Sequence, residues 1–340
     1  MIHHNKSMTM KSTKYTILFS LLVYTAALTG QETTITETLP AKLKINSITV
    51  EPAAMEFSVG RDYRQLRVTG QLESGQIADL TRMLSIRKTP RHVQISADGI
   101  VTPISIGQET VTLQFGKYSA TLAVSVKAHD LPTSSFVNDV QPILAKMSCN
   151  AGTCHGSKNG KNGFKLSLRG YDPLYDHRAL TDDIGARRFN RAAPDQSLLL
   201  LKAVGAIPHV GGVRTTVDSR YYGIIRDWII QGGRLDLETQ KASSIEILPK
   251  NPIIPRAGMK QQISVLATFP DGSMRDVTRE AFIESGNIEV IDADERGVLT
   301  LLRRGEGPVL VRYDGNYAAT TLTVMGDRMG FQWAKPKTQN

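Results

Sequence analysis

Cysteine is nearly absent from this chain: Cys149 and Cys154 are the only two in 340 residues. With no second Cys or Cys-His pair, a zinc site has too few donors, since zinc takes about four N, S or O ligands. Neither half of the chain can carry the buried disulfide of an antibody domain, so any β-sandwich here is held by packing alone. Long apolar runs are also missing, except for Tyr15 to Leu28 behind Lys11 and Lys14. That run is shorter than the roughly 20 residues that span a bilayer, and with Thr29-Gly30-Gln31 behind it, it reads as the core of a signal peptide cleaved near Gly30. A retained N-terminal anchor is the other reading. Nothing else approaches membrane-spanning length, so no span is expected in the mature chain. The net charge is +9, yet no five consecutive residues are Lys or Arg and few aromatics stand among the basic positions. The basic balance therefore reads as a solvated surface, and no nucleic-acid partner is expected.

What the chain does contain is a repeat. Ile48-Thr-Val-Glu-Pro52 matches Ile245-Glu-Ile-Leu-Pro249, and the stretch from Val68 through Gly75 to Asp79-Leu-Thr81 matches Val265 through Gly272 to Asp276-Val-Thr278, at a constant spacing of 197. Farther on, Gly99-Ile-Val-Thr pairs with Gly297-Val-Leu-Thr at a spacing of 198, so one residue has been inserted. Each copy alternates apolar and polar residues in short runs broken by Gly, Asp and Pro, the period of half-buried strands in two packed sheets. Asp79 and Asp276 stand where a side chain hydrogen-bonds a turn backbone. Residues 43–128 and 243–325 are thus expected to be two all-β modules that fold separately. Glu109, Asp98 and His92 read as exposed positions, and no catalytic constellation stands out in either copy.

The texture changes between the copies. Apolar positions 136, 140, 143, 144 and 147 form a helical stripe, with Pro142 marking where the regular helix begins. Pro194-Asp195 starts a second short helix over 197–204, and a third runs from Ser219 to Gln231, ended by Gly232-Gly233. The first helix runs into Cys149-Asn-Ala-Gly-Thr-Cys-His155. Two cysteines ending on a histidine offer two thioether anchors and an axial imidazole to one haem. Four residues separate these cysteines where two are usual, so the loop must bulge, and Gly152 is expected to make the bulge cheap. A local disulfide between Cys149 and Cys154 remains the competing use of the same sulfurs. Pro208-His209 ahead of the last helix offers a second imidazole, and Gly211-Gly212 lets the chain turn around it. His177 reads as a surface residue. Arg188 or Arg214 is suited to a haem propionate, because a guanidinium matches a carboxylate bidentately.

Residues 134–236 resemble the cytochrome c-like domain of large secreted planctomycete-type proteins. The likeness rests on Phe136, Val140-Gln-Pro-Ile-Leu144, Cys149, Cys154-His155-Gly156, Gly163-Phe-Lys-Leu-Ser-Leu-Arg-Gly-Tyr-Asp-Pro173, Arg187-Arg188, Ser197-Leu-Leu-Leu200, Pro208-His209 and Trp228-Ile229. The outer copies are similar to bacterial Ig-like modules of the BIG2 type. The resemblance implies a multi-domain chain in which two all-β Ig-like sandwiches flank a small all-α cytochrome c-like domain. The expected order is a signal peptide over 1–30, a linker over 31–42, the first module, the helical domain, the second module and a tail over 326–340. It also implies covalent haem c on Cys149 and Cys154, with His155 and His209 on the iron. Electron transfer or redox sensing with an unknown redox partner follows, in a protein exported to the periplasm or cell surface. The Ig-like modules would make cell-envelope or polysaccharide contacts. The alternative is a non-redox adhesion or carbohydrate-binding scaffold whose central domain has lost its haem. Family members of this kind usually continue into further long domains.

Overall fold

The computed structural model describes residues 1, 37–183, 187–326 and 334. The expected signal peptide beyond Met1, half of the linker and nearly all of the tail lie outside the described residues. From Glu37 onward the chain forms one compact unit.

The repeat is written into the topology strand for strand. In the first copy β1 (Ile45–Glu51), β4 (Arg67–Leu72) and β5 (Ile77–Asp79) form one sheet. The strands β2 (Ala54–Phe57), β10 (Tyr118–Val126), β9 (Gly107–Phe115) and β6 (Ser85–Ile86) form a second, and β3 (Arg64–Gln65), β8 (Ile100–Pro103) and β7 (Val93–Ile95) a third. The second copy repeats these three sheets in the same order. They are β11 (Ser244–Leu248), β14 (Ser264–Thr268) and β15 (Met274–Asp276); β12 (Ile253–Ile254), β20 (Asn316–Val324), β19 (Gly305–Tyr313) and β16 (Phe282–Ser285); and β13 (Lys260–Gln262), β18 (Val298–Leu301) and β17 (Ile291–Ala293). Alternation sets which side chains turn inward: along β10, Leu122, Val124 and Val126 are buried while Thr121 and Ala123 are exposed.

Asp79 and Asp276 do more than brace a turn. Asp79 Oδ1 accepts from Thr81 N at 2.9 Å, while its Oδ2 accepts from Gln262 N of the other copy at 2.7 Å. Asp276 does the reverse, taking Thr278 N at 3.0 Å and Gln65 N at 2.6 Å. Gln65 and Gln262 are equivalent positions of the repeat, as are the two aspartates. The modules therefore meet through a reciprocal, two-fold-like contact of the kind that joins identical subunits. Their buried side chains form a single contiguous cluster.

The middle segment corrects the expected fold class: there is no distinct all-α domain. Its helices are four and short among the described residues: α1 (Gln141–Lys146), α2 (Pro173–Thr181), α3 (Leu198–Ala203) and α4 (Arg220–Ile230). Glycine, asparagine and proline through 150–172 and 205–218 supply turns where a helical domain would need longer rods. The segment is also bound to both modules. Lys146 donates to the carbonyls of Ala281 and Glu295, Arg275 pairs with Asp139 at 2.8 Å, and Arg61 pairs with Asp227. Glu280, fully buried, accepts from Tyr63 of the first module at 2.6 Å and pairs with Arg220 of α4. This segment does keep a small apolar centre, with Trp228 packed between Phe136 and Phe189 at 5.2 Å each.

One wide turn over Phe136–Val140 leads into α1 at Pro142, in the first helical turn where a missing N–H costs nothing. Ser219 caps α4 by accepting from Tyr222 N, and Gly232 and Gly233 end it at φ +97° and +62°. Helix α2 was not anticipated, although Asp172-Pro173 is its start signal: Asp172 accepts from Tyr175 N at 3.0 Å.

Candidate functional site

A cavity of about 390 Å³ opens in the middle segment, and all four site residues expected from the sequence line it: Cys149, Cys154, His155 and His209. That size falls in the range of small-molecule pockets. The Cys149–His155 stretch is a compact knot of turns, with His155 N donating to Cys149 O at 3.0 Å and Cys149 N to Leu144 O at 2.9 Å. Gly152 is not what permits it. Ser148 takes the left-handed conformation at φ +61°, and Gly156 is the glycine the geometry demands, because a Cβ there would stand 2.0 Å from the Asn150 carbonyl oxygen. Both thiols are free and half-buried. Burial pushes the Cys149 thiol up to about 12, against the opposing pull of Arg214.

The two imidazoles come together from distant parts of the chain. Their ring centroids are 6.3 Å apart and their planes differ by 8°. His155 packs on the Phe164 ring and its Nδ1–H donates to the Phe164 carbonyl at 3.0 Å. His209 Nδ1–H donates to Gly212 O at 2.9 Å, within a turn closed by Gly212 at φ +74°. A carbonyl can only accept, so each bond assigns the proton to Nδ1 and leaves Nε2 with its lone pair. Burial holds the His155 pKa below the ordinary histidine value, which favours this neutral form.

The walls are cationic. Lys161, Arg187, Arg188, Lys202 and Arg214 line the cavity, and among the described residues no carboxylate does. Arg188 lies almost fully buried with its guanidinium 4.2 Å from the centre of the Phe164 ring, and Arg214 is fixed through its own backbone to Ala203 O. Lysines 161 and 202 were not anticipated; Lys202 lies on the inner side of the Leu198–Ala203 helix, one turn after Leu198. His177, expected at the surface, is half-buried. Its Nε2–H donates to Gly233 O at 2.7 Å and its ring packs edge-on against Phe136 at 5.2 Å, and it does not line the cavity. Trp228 belongs to the apolar centre and does not line the cavity either.

Among the described residues, no group of three or more His, Cys, Asp or Glu is placed to hold a metal ion. A bare ion of the zinc type therefore lacks its ligand set here.

No known family and no curated protein matches this chain. Similarity appears only against solved structures. Domains 1–6 of the surface layer protein SbsC align over 84% of this chain and 29% of their own length at 9% identity, with a TM-score of 0.22. Domains 5–6 of the same S-layer protein align over 84% and 100% at 10% identity and a TM-score of 0.31. Extracellular domains 3–5 of Drosophila OTK align over 83% and 62% at 6% identity and a TM-score of 0.16. These are faint likenesses between β-rich multi-domain chains, and nothing about function follows from them. The cytochrome c-like family expected from the sequence is corrected on two counts: no family matches, and the helical segment is no separate all-α domain. The electron-transfer role that came with that family goes with it. No helix among the described residues is long and apolar enough to cross a membrane.

Proposed function

We propose that this chain is an exported, non-redox binding scaffold in which two locked β modules hold a preformed pocket for a planar, anionic ligand. The observation that carries the reading is the pocket itself: five cationic side chains, of which Arg188 pairs with Asp183 outside the lining, and no carboxylate among the described residues that line the cavity with Leu144, Phe164 and Leu166. An apolar floor with a cationic rim suits a ligand with a flat hydrophobic body and carboxylates at its edge. Export rests on the signal-like segment Lys11 to Gly30.

Haem attached through Cys149 and Cys154 is the occupant this reading proposes. Two imidazoles cannot by themselves satisfy a bare ion, but they would suffice for a metal that arrives with nitrogen ligands of its own. His155 and His209 would hold that metal, and Arg188 and Arg214 the propionates. The protein's own contribution is to fix both tautomers through the carbonyls of Phe164 and Gly212, so that each ring presents a lone pair.

Hemin added to the purified, reduced chain should give the absorption of a low-spin, two-histidine complex. His209→Ala or His155→Ala should abolish the low-spin form. Made with a haem-attachment system, the protein should keep its colour through denaturation, and the double variant Cys149→Ser, Cys154→Ser should lose it. A chain that leaves the hemin spectrum unchanged and is purified with Cys149 bonded to Cys154 would overturn the proposal.

A further inference from the structure

The two modules are so alike that their differences are informative. In the second module, Phe282 of β16 pairs with Arg312 of β19, and Arg312 pairs with Tyr317 of β20. Paired residues share a face of the sheet, so Phe, Arg and Tyr form one row across three strands. The equivalent row of the first module is Ser85, Gln114 and Ser119, in the same pairing. One module thus carries a large aromatic and cationic row where its twin carries small polar residues, on an otherwise matching frame.

This row is not packed away. Tyr317 is 68% exposed, and Arg312 lies over the Phe282 ring at 5.0 Å. Facing it is the turn after the cysteine loop, where Arg169 takes a left-handed φ of +59°, unusual for a residue with a side chain, and its backbone N–H donates to Asn150 O. Arg169 reaches Tyr317 Oη at 3.5 Å, and Tyr171 beside it is 75% exposed. Two adjoining cavities of about 440 and 650 Å³ run along this groove and share Leu168, Arg169, Phe282, Arg312 and Tyr317. Neither Arg169 nor Arg312 has a salt-bridge partner among the described residues, and burial first, then the Arg169 charge, makes protonation of Arg312 less favourable. Three carboxylates also line these cavities: Glu284, exposed on the next row; Asp314, which accepts from Ala242 N and faces Lys241; and Glu280, buried and paired with Arg220.

We infer that this groove binds an acidic oligosaccharide, with sugar rings laid on Tyr171 and Tyr317 and their carboxylates on Arg169 and Arg312. Two unpaired guanidiniums held side by side call for anionic charge between them, which a carboxylate meets bidentately. Exposed aromatic faces carry negative quadrupole density that takes the C–H face of a sugar ring. The row crosses the sheet face from the edge strand β16 to β20, so a ligand laid along it runs across the strands and not parallel to the ladder that a peptide strand adds to. This inference rests on the scaffold reading above but uses no residue of the haem pocket, so a failed hemin experiment leaves it standing.

The test titrates the full chain with a galacturonic acid oligomer, a neutral galactose oligomer of equal length and an oligoglutamate peptide. The acidic sugar should bind, with an affinity that falls as salt rises. A triple variant, Phe282→Ser, Arg312→Gln and Tyr317→Ser, writes the first module's row into the second. The twin module folds with that row, so the variant should fold, and circular dichroism checks it. Its affinity should drop about tenfold or more, the loss expected of at least one charge-assisted hydrogen bond. Arg169→Gln alone should weaken binding in the same direction. Equal binding of neutral and acidic sugars, tighter binding of the peptide, or a triple variant with unchanged affinity would each overturn the inference.

Discussion

Asp276→Ala should destabilise the compact unit by about 2–4 kcal/mol, because it strands buried donors on both sides of the contact between the modules. Asp276 is almost fully buried, and removal of its carboxylate leaves the Gln65 N–H without an acceptor while Thr278 loses a backbone and a hydroxyl bond. Asp79→Ala should behave alike, since it strands Gln262 N and Thr81 in the mirror-related positions. The double variant should cost less than the sum, because the second change acts on a contact already opened by the first. Asp271→Ala, in an exposed turn where Asp271 bonds only Ser273, serves as the control and should leave stability where it was. Urea unfolding of the four variants decides the matter. If Asp276→Ala unfolds at the same urea concentration as the control, the reciprocal contact contributes nothing and the modules are merely adjacent.

The second large effect is a pH dependence at Lys146. Its ammonium is 5% exposed and donates to Ala281 O at 2.6 Å and Glu295 O at 2.8 Å, fastening α1 to the second module. Burial pushes its pKa down to about 8 from an ordinary 10.5, with nearby Glu295 and Glu280 opposing the shift. Between those two values the unfolded chain holds the proton and the folded chain does not, so this residue's contribution to stability rises with pH across that window. The full rise is about 3 kcal/mol. Cys149 works the other way at the alkaline end. Its thiol ionises at about 9 when unfolded and about 12 when folded, so stability is lost above pH 9. The measurement is therefore a difference: the unfolding free energy of the wild type minus that of Lys146→Met, followed from pH 7 to 10.5. It should be flat below pH 8 and climb above it. A flat difference throughout would mean that the folded chain keeps Lys146 charged.

Several features were legible in the chain alone because they depend on local order. The duplicated β pattern, its turn glycines and its inserted residue follow from period and spacing, and the ten strands of each copy pair in one scheme. Pro142, Ser219 and Gly232-Gly233 set helix limits through backbone chemistry that neighbours do not alter. Cys149, Cys154, His155 and His209, singled out by the cysteine loop and the Pro-His turn, line one cavity. The bulge glycine was misplaced. Spacing pointed to Gly152, but the requirement at Gly156 arises from the approach of the Asn150 carbonyl, which sequence does not display.

The rest was decided in three dimensions. A helical stripe shows that a segment has an apolar face; it does not show what covers that face. Here Lys146, Tyr221, Arg220 and Asp139 spend their polar groups on the β modules, so the short helices join the sheets and make no domain of their own. The aspartates read as turn residues because the bond to the next threonine is local, while their other oxygen reaches a backbone 183 or 211 residues away. Equally, the row of Phe282, Arg312 and Tyr317 is scattered along the chain and becomes a surface only once three strands are in register. Sequence periodicity determined the modules and the cysteine loop of this protein. Long-range pairing of buried polar groups decided how they lock together and which grooves they leave open, because each such group must find its partner wherever the fold brings one.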